Sequence, residues 1–249
     1  MLPALVINLD RSRERWESVS GSASGAGIEL ERLAAVDGRA MPAGAPRPGL
    51  DERKFSRSHG RKVLPGEYGC YRSHLAALGR VIERGYDVAI IAEDDILFDA
   101  GTEKRVRSIM TANSRIELLK LVNHRTSAFV GCGRSSLGDE FGRCMHGPQG
   151  SAACYAVTNQ GARKLLAALQ TMWLPYDTAF ERGWSTGVAT YTTLLPLVRF
   201  QSEPTRTTIA TRNEYRKSKL PKLGQFSVLV FRAGDYLRRA AYALRGKWN

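Results

Sequence analysis

No stretch of the 249-residue chain runs apolar for the ~18 residues a membrane-spanning helix needs, so none is expected. The opening MLPALVINLDRSRERW lacks the basic start and long apolar region of a secretory leader; its ALVINL reads as a first strand. Cysteine is scarce. Cys70, Cys132, Cys144 and Cys154 show no CxxC pairing, which argues against a disulfide framework or a zinc site and fits reduced thiols in a cytoplasm. The GxxxxGK[ST] loop and the GxGxxG fingerprint are missing, which argues against P-loop and dinucleotide enzymes. No GxSxG elbow surrounds Ser73, so Ser73-His74 does not read as part of a hydrolase triad, and His74 alone on a helix is by default a hydrogen-bonded structural histidine. Internal repeats and low-complexity segments are also missing.

What is present is ordinary in bulk and uneven in charge. Hydrophobic content of 43% and charged content of 24% suit a globular chain with a substantial core. The net charge is +13, and from Arg212 to Asn249 ten Lys and Arg stand against Glu214 and Asp235. The basic character therefore belongs mainly to the tail, giving a division into residues 1–211 and a basic segment 212–249.

The hydrophobic pattern alternates strand and helix. Val6 to Leu9 stop at Asp10, followed by a charged helical stretch with Asp10 or Ser12 as its cap. IELERLAAVDG reads as a second strand, and Arg39 to Pro65 as a long surface loop. GEYGCYRSHLAALGRVIERGY spaces Tyr71, Leu75, Leu78 and Ile82 as an amphipathic helix stopping at Gly85. Further expectations are a strand at Val88–Ala92, a helix at Thr102–Thr111, a strand at Ile116–Val122 and a loop to Gly150. A strand running into a helix from Ser151 and a last strand in VATYTTLLPLV complete the set. This order implies an α/β domain with a mostly parallel sheet, whose ligands bind at the carboxyl ends of strands.

Two such ends carry chemistry: Asn8-Leu9-Asp10 and Glu93-Asp94-Asp95. Clustered carboxylates repel one another unless cations lie between them, and hard divalent cations prefer oxygen ligands and phosphate. The triplet is a seat for a metal carrying a diphosphate, or else a solvated turn whose acids cap the next element.

Taken together, LVINLDRSRERW, LAAVDG, LPGEYGCYRSHLAAL, IIAEDDILF, GSAACYAVTNQGARKLL and LPYDTAF, in this order and spacing, resemble glycosyltransferase family 25 over roughly residues 4 to 210. That family includes bacterial lipooligosaccharide galactosyltransferases and the collagen galactosyltransferases. The resemblance implies a GT-A type, Rossmann-like fold and inverting transfer from a UDP-sugar, typically UDP-galactose, usually with Mn²⁺ (or Mg²⁺). It implies Asp95, with Asp94, as metal ligands, and Glu93 or Asp94 at the ribose or a metal-bound water. Asn8, Asp10 and Arg11 would lie near the nucleotide. Arg15 would reach the diphosphate, or stay a solvated helix charge. Tyr68, Ser73 and His74 would line the sugar pocket, with Glu67 capping their helix and Gly66 and Gly69 permitting close backbone approach. Asp177 matches a family position and becomes the base that takes the acceptor proton, with Glu181 in reserve; Asp177 also has the look of a helix N-cap.

The chain departs from the family in two places. Ala153-Cys154-Tyr155-Ala156-Val157-Thr158 replaces a small-Gly-Tyr-Ile-Ile-Ser run, and TRTTIATR replaces a Ser-containing block. Both bear on donor and acceptor choice more than on the fold.

The tail spaces Phe226, Leu229, Val230, Ala233, Leu237, Ala240, Ala241 and Leu244 helically among five cations, Arg232, Arg238, Arg239, Arg245 and Lys247. This suits an interfacial helix on an anionic bilayer, or a helix packed on the domain with a solvated basic face. The expected partners are a UDP-sugar, a lipid-linked glycan acceptor and an anionic membrane surface, placing the chain in the cytoplasm at the inner face of the cytoplasmic membrane. Competing readings are a sugar-nucleotide nucleotidyltransferase, an inactive transferase-like adaptor and a basic nucleic-acid-binding protein. The last is disfavoured because the tail has few aromatics placed for base stacking.

Overall fold

The computed structural model describes residues 2–42, 44–201, 212–219 and 226–246. Its centre is an eight-stranded sheet ordered β2-β1-β3-β8-β5-β9-β7-β6. The strands are β1 (Pro3–Asn8), β2 (Glu29–Ala34), β3 (Val88–Glu93), β5 (Leu118–Lys120), β6 (Phe129–Arg134), β7 (Glu140–Cys144), β8 (Cys154–Thr158) and β9 (Thr190–Thr193). Six of the eight point the same way and β7 and β8 oppose them, so the sheet is mixed and mostly parallel in strand direction. A separate antiparallel pair joins β4 (Ile96–Phe98) to β10 (Val198–Phe200).

Helices cover both faces of the sheet, and this explains the apolar runs in β1 and β3. Leu5, Ile7, Ala89 and Ile91 point to one face, where α3 (Pro65–Glu83) and α5 (Asn159–Ala168) pack. Ala4, Val6, Ile90 and Ala92 point to the other, beneath α1 (Arg13–Gly25) and α4 (Thr102–Ala112). A strand buried on both sides needs apolar residues at every position, not at alternate ones. The α/β architecture expected from the alternating pattern is the one observed.

Three stretches differ from the sequence expectation. The 39–65 segment is not all loop: α2 (Glu52–His59) runs through it, capped by the Asp51 carboxylate accepting from the Lys54 amide and closed by Gly60 at φ 77°. Buried Phe55 anchors this short, highly charged helix to the core. The stretch before Gly150 contains the β6–β7 hairpin, whose register slips at Gly131/Gly133 and whose glycines leave little apolar periodicity to see. VATYTTLLPLV is two strands: β9 lies inside the sheet between β5 and β7, and β10 turns away to pair with β4.

Two four-residue helices, α6 (Tyr176–Ala179) and α7 (Gly183–Thr186), lead from α5 to β9. After α8 (Arg212–Lys217), the long α9 (Phe226–Arg245) packs on α2, α7 and β7. Its inward face carries Val228, Arg239 and Ala243, and Phe231 meets Trp173 edge-on at 5.8 Å. The expected boundary at residue 211 and the TRTTIATR block at 205–212 lie outside the described residues, apart from the backbone of Arg212. No described helix is long and apolar enough to cross a membrane.

Candidate active site

The site begins where β1 and β3 end side by side. Their parallel register sets Ile7 against Glu93, so the next residues, Asn8 and Asp94, meet across the strands. Buried Asn8 donates from Nδ2 to Asp94 Oδ2 at 2.7 Å and to the Ser12 carbonyl at 3.0 Å. Its Oδ1 accepts from Arg32 Nε at 2.8 Å, and Arg32 also holds the exposed Asp10 at 2.6 Å. Ser12 occupies the cap position of α1 without a side-chain capping bond. Arg15, one turn into α1, donates to Asp94 Oδ1 at 3.0 Å. Both Asp94 oxygens are thus engaged by the β1–α1 corner. Burial raises the Asp94 pKa, and Asn8 and Arg15 hold it back.

The three carboxylates diverge. Glu93 points toward α3, where His74 Nε2 lies 3.2 Å from Glu93 Oε1 and His74 Nδ1 lies 3.2 Å from the Tyr155 hydroxyl. With the proton on Nε2, His74 donates to Glu93 and accepts from Tyr155, whose hydroxyl oxygen lies 2.9 Å from that of Tyr176. The Tyr176 ring stacks on His74 at 4.1 Å, within 6° of parallel. His74 is a hydrogen-bonded core histidine and at the same time the support that aims Glu93. Asp95 follows in the turn before β4, where its carbonyl accepts from the Gln201 amide at 2.7 Å. Its Oδ1 is buried with no hydrogen-bond partner among the described residues. Burial and neighbouring Glu93 push the Asp95 pKa up to about 7.

Two cavities meet at these carboxylates. The first opens at the β1 end, between Arg11, Arg15, Val36-Asp37-Gly38 and the start of α3. Arg11 pairs with Asp37 across it. Its wall depends on glycine: a Cβ on Gly69 would strike the Val36 carbonyl, and one on Gly38 would strike the Pro65 carbonyl. Ser73 clamps the same wall, accepting from the Val36 amide at 2.8 Å and donating to the Gly69 carbonyl at 2.8 Å. Glu67 accepts from the Leu64 amide at 3.0 Å, the capping role expected of it, and pairs with the buried Arg61. Tyr68 turns away to the Pro48 carbonyl and lines neither cavity.

The second cavity, about 580 Å³, shares Arg15, Cys70 and Glu93 with the first and adds Asp95, Asp177, Arg61 and the aromatic rings of His59, His124 and Tyr215. Asp177 sits in the first turn of α6, with Pro175 at the cap position, so it does not act as the N-cap. Its pKa is raised by burial and by Glu181. Glu181 is not brought to either cavity. It lies beneath the cleft, nearly inaccessible, between Lys120 at 3.0 Å and Arg239 of α9 at 2.7 Å, and accepts from the Gln149 amide at 3.2 Å. Sequence reasoning missed Lys120, His59, Arg61, His124 and Tyr215. The first is hidden in an apolar strand, and the others come from segments with no motif.

Two sets of side chains could hold a metal. Cys70, His74 and Glu93 lie within reach of one ion, but burial and the surrounding carboxylates keep the Cys70 thiol protonated, which makes it a poor ligand. Glu93 on the shared wall and Asp95 in the second cavity offer oxygens, and Asp95 Oδ1 is buried with no hydrogen-bond partner among the described residues. That donor chemistry fits a hard divalent cation, which would offset the burial of the Asp95 carboxylate and its repulsion by Glu93, the two causes that raise its pKa.

A family model described as glycosyltransferase family 25 (LPS biosynthesis protein) matches residues 1–180. Similar proteins include procollagen galactosyltransferase 1 of Danio rerio, 29% identical over 112 residues, 42% of this chain and 18% of that one. A glycosyltransferase 25 family member of Aedes aegypti is 26% identical over 176 residues, 65% and 27% of the two chains. The inactive glycosyltransferase 25 family member 3 of Homo sapiens is 30% identical over 189 residues, 69% and 30%. The chain spans less than a third of the length of these relatives. A solved glycosyltransferase involved in glycosylation of the major capsid of PBCV-1 aligns over 67% of this chain and 65% of that one, at 8% identity and a TM-score of 0.33.

Proposed function

The chain belongs to glycosyltransferase family 25, and from that premise we propose that it moves a sugar, galactose from UDP-galactose, onto a lipid-linked glycan of the lipopolysaccharide kind, with inversion at the anomeric carbon. One observation carries the reading: Asp95 and Asp177 face one cavity, and that cavity shares Arg15 and Glu93 with the pocket at the β1 end.

The division of labour follows from the two cavities. The pocket between Arg11, Asp37 and the glycine-shaped wall takes the nucleoside, and Arg15 on the shared wall meets the diphosphate. The larger cleft takes the transferred sugar and the acceptor. Asp95, with Glu93 beside it, would hold Mn²⁺ or Mg²⁺. Asp94 is engaged by Asn8 and Arg15 and acts by fixing the turn and orienting Arg15. A cation bound there supplies positive charge against the departing diphosphate. In the transfer the acceptor hydroxyl oxygen bonds to the anomeric carbon, the bond from that carbon to the phosphate oxygen breaks, and UDP leaves. Asp177 takes the hydroxyl proton. Burial, and then neighbouring Glu181, raise its pKa, which makes its carboxylate a stronger base than an ordinary aspartate.

A second reading, a transferase-like chain without turnover, is favoured by the relative that is itself named inactive. The separating experiment is release of UDP from UDP-galactose by the purified chain, with lipid-linked oligosaccharide and Mn²⁺. Turnover lost in a folded Asp95→Ala variant supports transfer. No turnover with any divalent metal supports the second reading.

A further inference from the structure

Helix α9 has two apolar faces, and one of them is used by the fold. The inward face seats Val228, Phe231 and Ala243 against the domain. It is fixed by ion pairs that cannot slide: Arg182 to Asp235 at 2.8 Å and Arg239 to Glu181 at 2.7 Å. On the opposite side Phe226, Leu229, Val230, Leu237 and Leu244 recur at helical spacing and form an exposed stripe, with Phe226 74% and Leu237 68% accessible. A row of this length is more than the scattered exposed leucines of an ordinary surface.

The flanks of the stripe are cationic. By helical spacing Arg232 lies on one edge and Arg238 and Arg245 on the other, and none of the three has a carboxylate partner among the described residues. Arg238 and Arg245 also border an open groove whose lining includes Arg143 and Lys164, with Glu117 as its acid. That acid is already engaged by Lys164 at 2.6 Å and by the Ala189 amide at 2.8 Å. The one carboxylate of α9, Asp235, faces inward.

We propose that the outward face of α9 and the adjoining basic groove are a docking surface for an anionic lipid bilayer. The helix lies in the interface plane, with the stripe among the acyl chains and the arginines at the phosphates. Charge complementarity selects this occupant over a second copy of the chain, because the outward half of α9 has no acid to meet another copy's arginines. The inward ion pairs make the stripe a fixed feature of the folded domain. The proposal does not depend on the transferase reading.

The test is flotation of the 249-residue chain with vesicles of phosphatidylcholine alone and of phosphatidylcholine mixed with phosphatidylglycerol. Partitioning to the anionic vesicles should be at least ~10-fold stronger and should fall with added salt, as charge attraction near a surface does. Arg238→Glu with Arg245→Glu should remove that preference. Leu229→Gln with Leu237→Gln should lower partitioning by at least ~10-fold with an unchanged thermal melt, since both side chains are exposed. Failure to float with either vesicle would overturn the proposal, as would flotation indifferent to the leucine changes. So would a self-association of the wild-type chain that the leucine changes abolish without any lipid binding.

Discussion

Asn8 at the end of β1 donates to the Asp94 carboxylate at the end of β3 across 2.7 Å, joining residues 86 apart in the chain. That bond ties the two strand ends into one unit and consumes the middle acid of Glu93-Asp94-Asp95. It leaves Glu93 to His74 and Asp95 to the cleft. The acidic triplet is therefore three side chains with three different surroundings.

Arg15 stands on the wall common to both cavities. Replacing it with alanine should weaken UDP binding by about tenfold to a hundredfold, the usual worth of a charge-assisted bond. Calorimetric titration measures this. Undiminished affinity would restrict Arg15 to holding Asp94.

Asp177 and Glu181 should respond oppositely to loss of charge. Asp177→Asn should cut turnover by about 10²- to 10⁴-fold with little change in melting temperature, because the native carboxylate gains no stability from burial. Glu181→Gln leaves Lys120 and Arg239 buried with less counter-charge and should cost about 3–5 kcal/mol of stability. Denaturant melts with initial rates separate the two, and the reverse pattern would exchange their roles.

Manganese binding should depend on pH through Asp95, whose pKa is pushed up to about 7. Below that value a cation must displace the proton, so affinity should fall about tenfold per pH unit toward acid and level off above it. Titrations at several pH values test this, and a flat profile between pH 5 and 8 would remove Asp95 from the ligand set.

His59 is held neutral, its pKa lowered from 6.5 to about 3 by burial and then by Arg61 and Arg232. Between those values the unfolded chain binds a proton that the native chain does not. Stability from this group is complete above about 6.5 and is lost progressively as the pH falls toward 3. His59→Gln should flatten the acid side of the stability profile. An unchanged slope would mean that other groups set it.

Much of this was legible in the sequence because the signals were local. The doubly buried β1 and β3 announce themselves as apolar runs, and α3 shows its period and its Gly85 stop. What the sequence could not show were contacts set by tertiary register. That Asp94 rather than Asp95 turns toward Asn8 depends on Ile7 pairing with Glu93. That Glu181 sits under the cleft depends on Lys120, a lysine at the end of an apolar strand, and on Arg239, in a tail whose inward face could not be chosen from spacing alone. The helix α2 was hidden because one buried residue, Phe55, anchors it among charges, and β6 because its glycines and bulge erase the alternation.

The most direct measurement is calorimetric titration of UDP into the purified wild-type chain, once with Mn²⁺ and once with chelator, alongside Asp95→Ala. The expected result is binding by the wild type that chelator weakens at least ~10-fold, and binding by the variant that is weak and indifferent to metal. UDP affinity that is equal with metal and with chelator, or no affinity in a folded chain under either condition, would contradict a metal-assisted nucleotide-sugar site at the ends of β1 and β3.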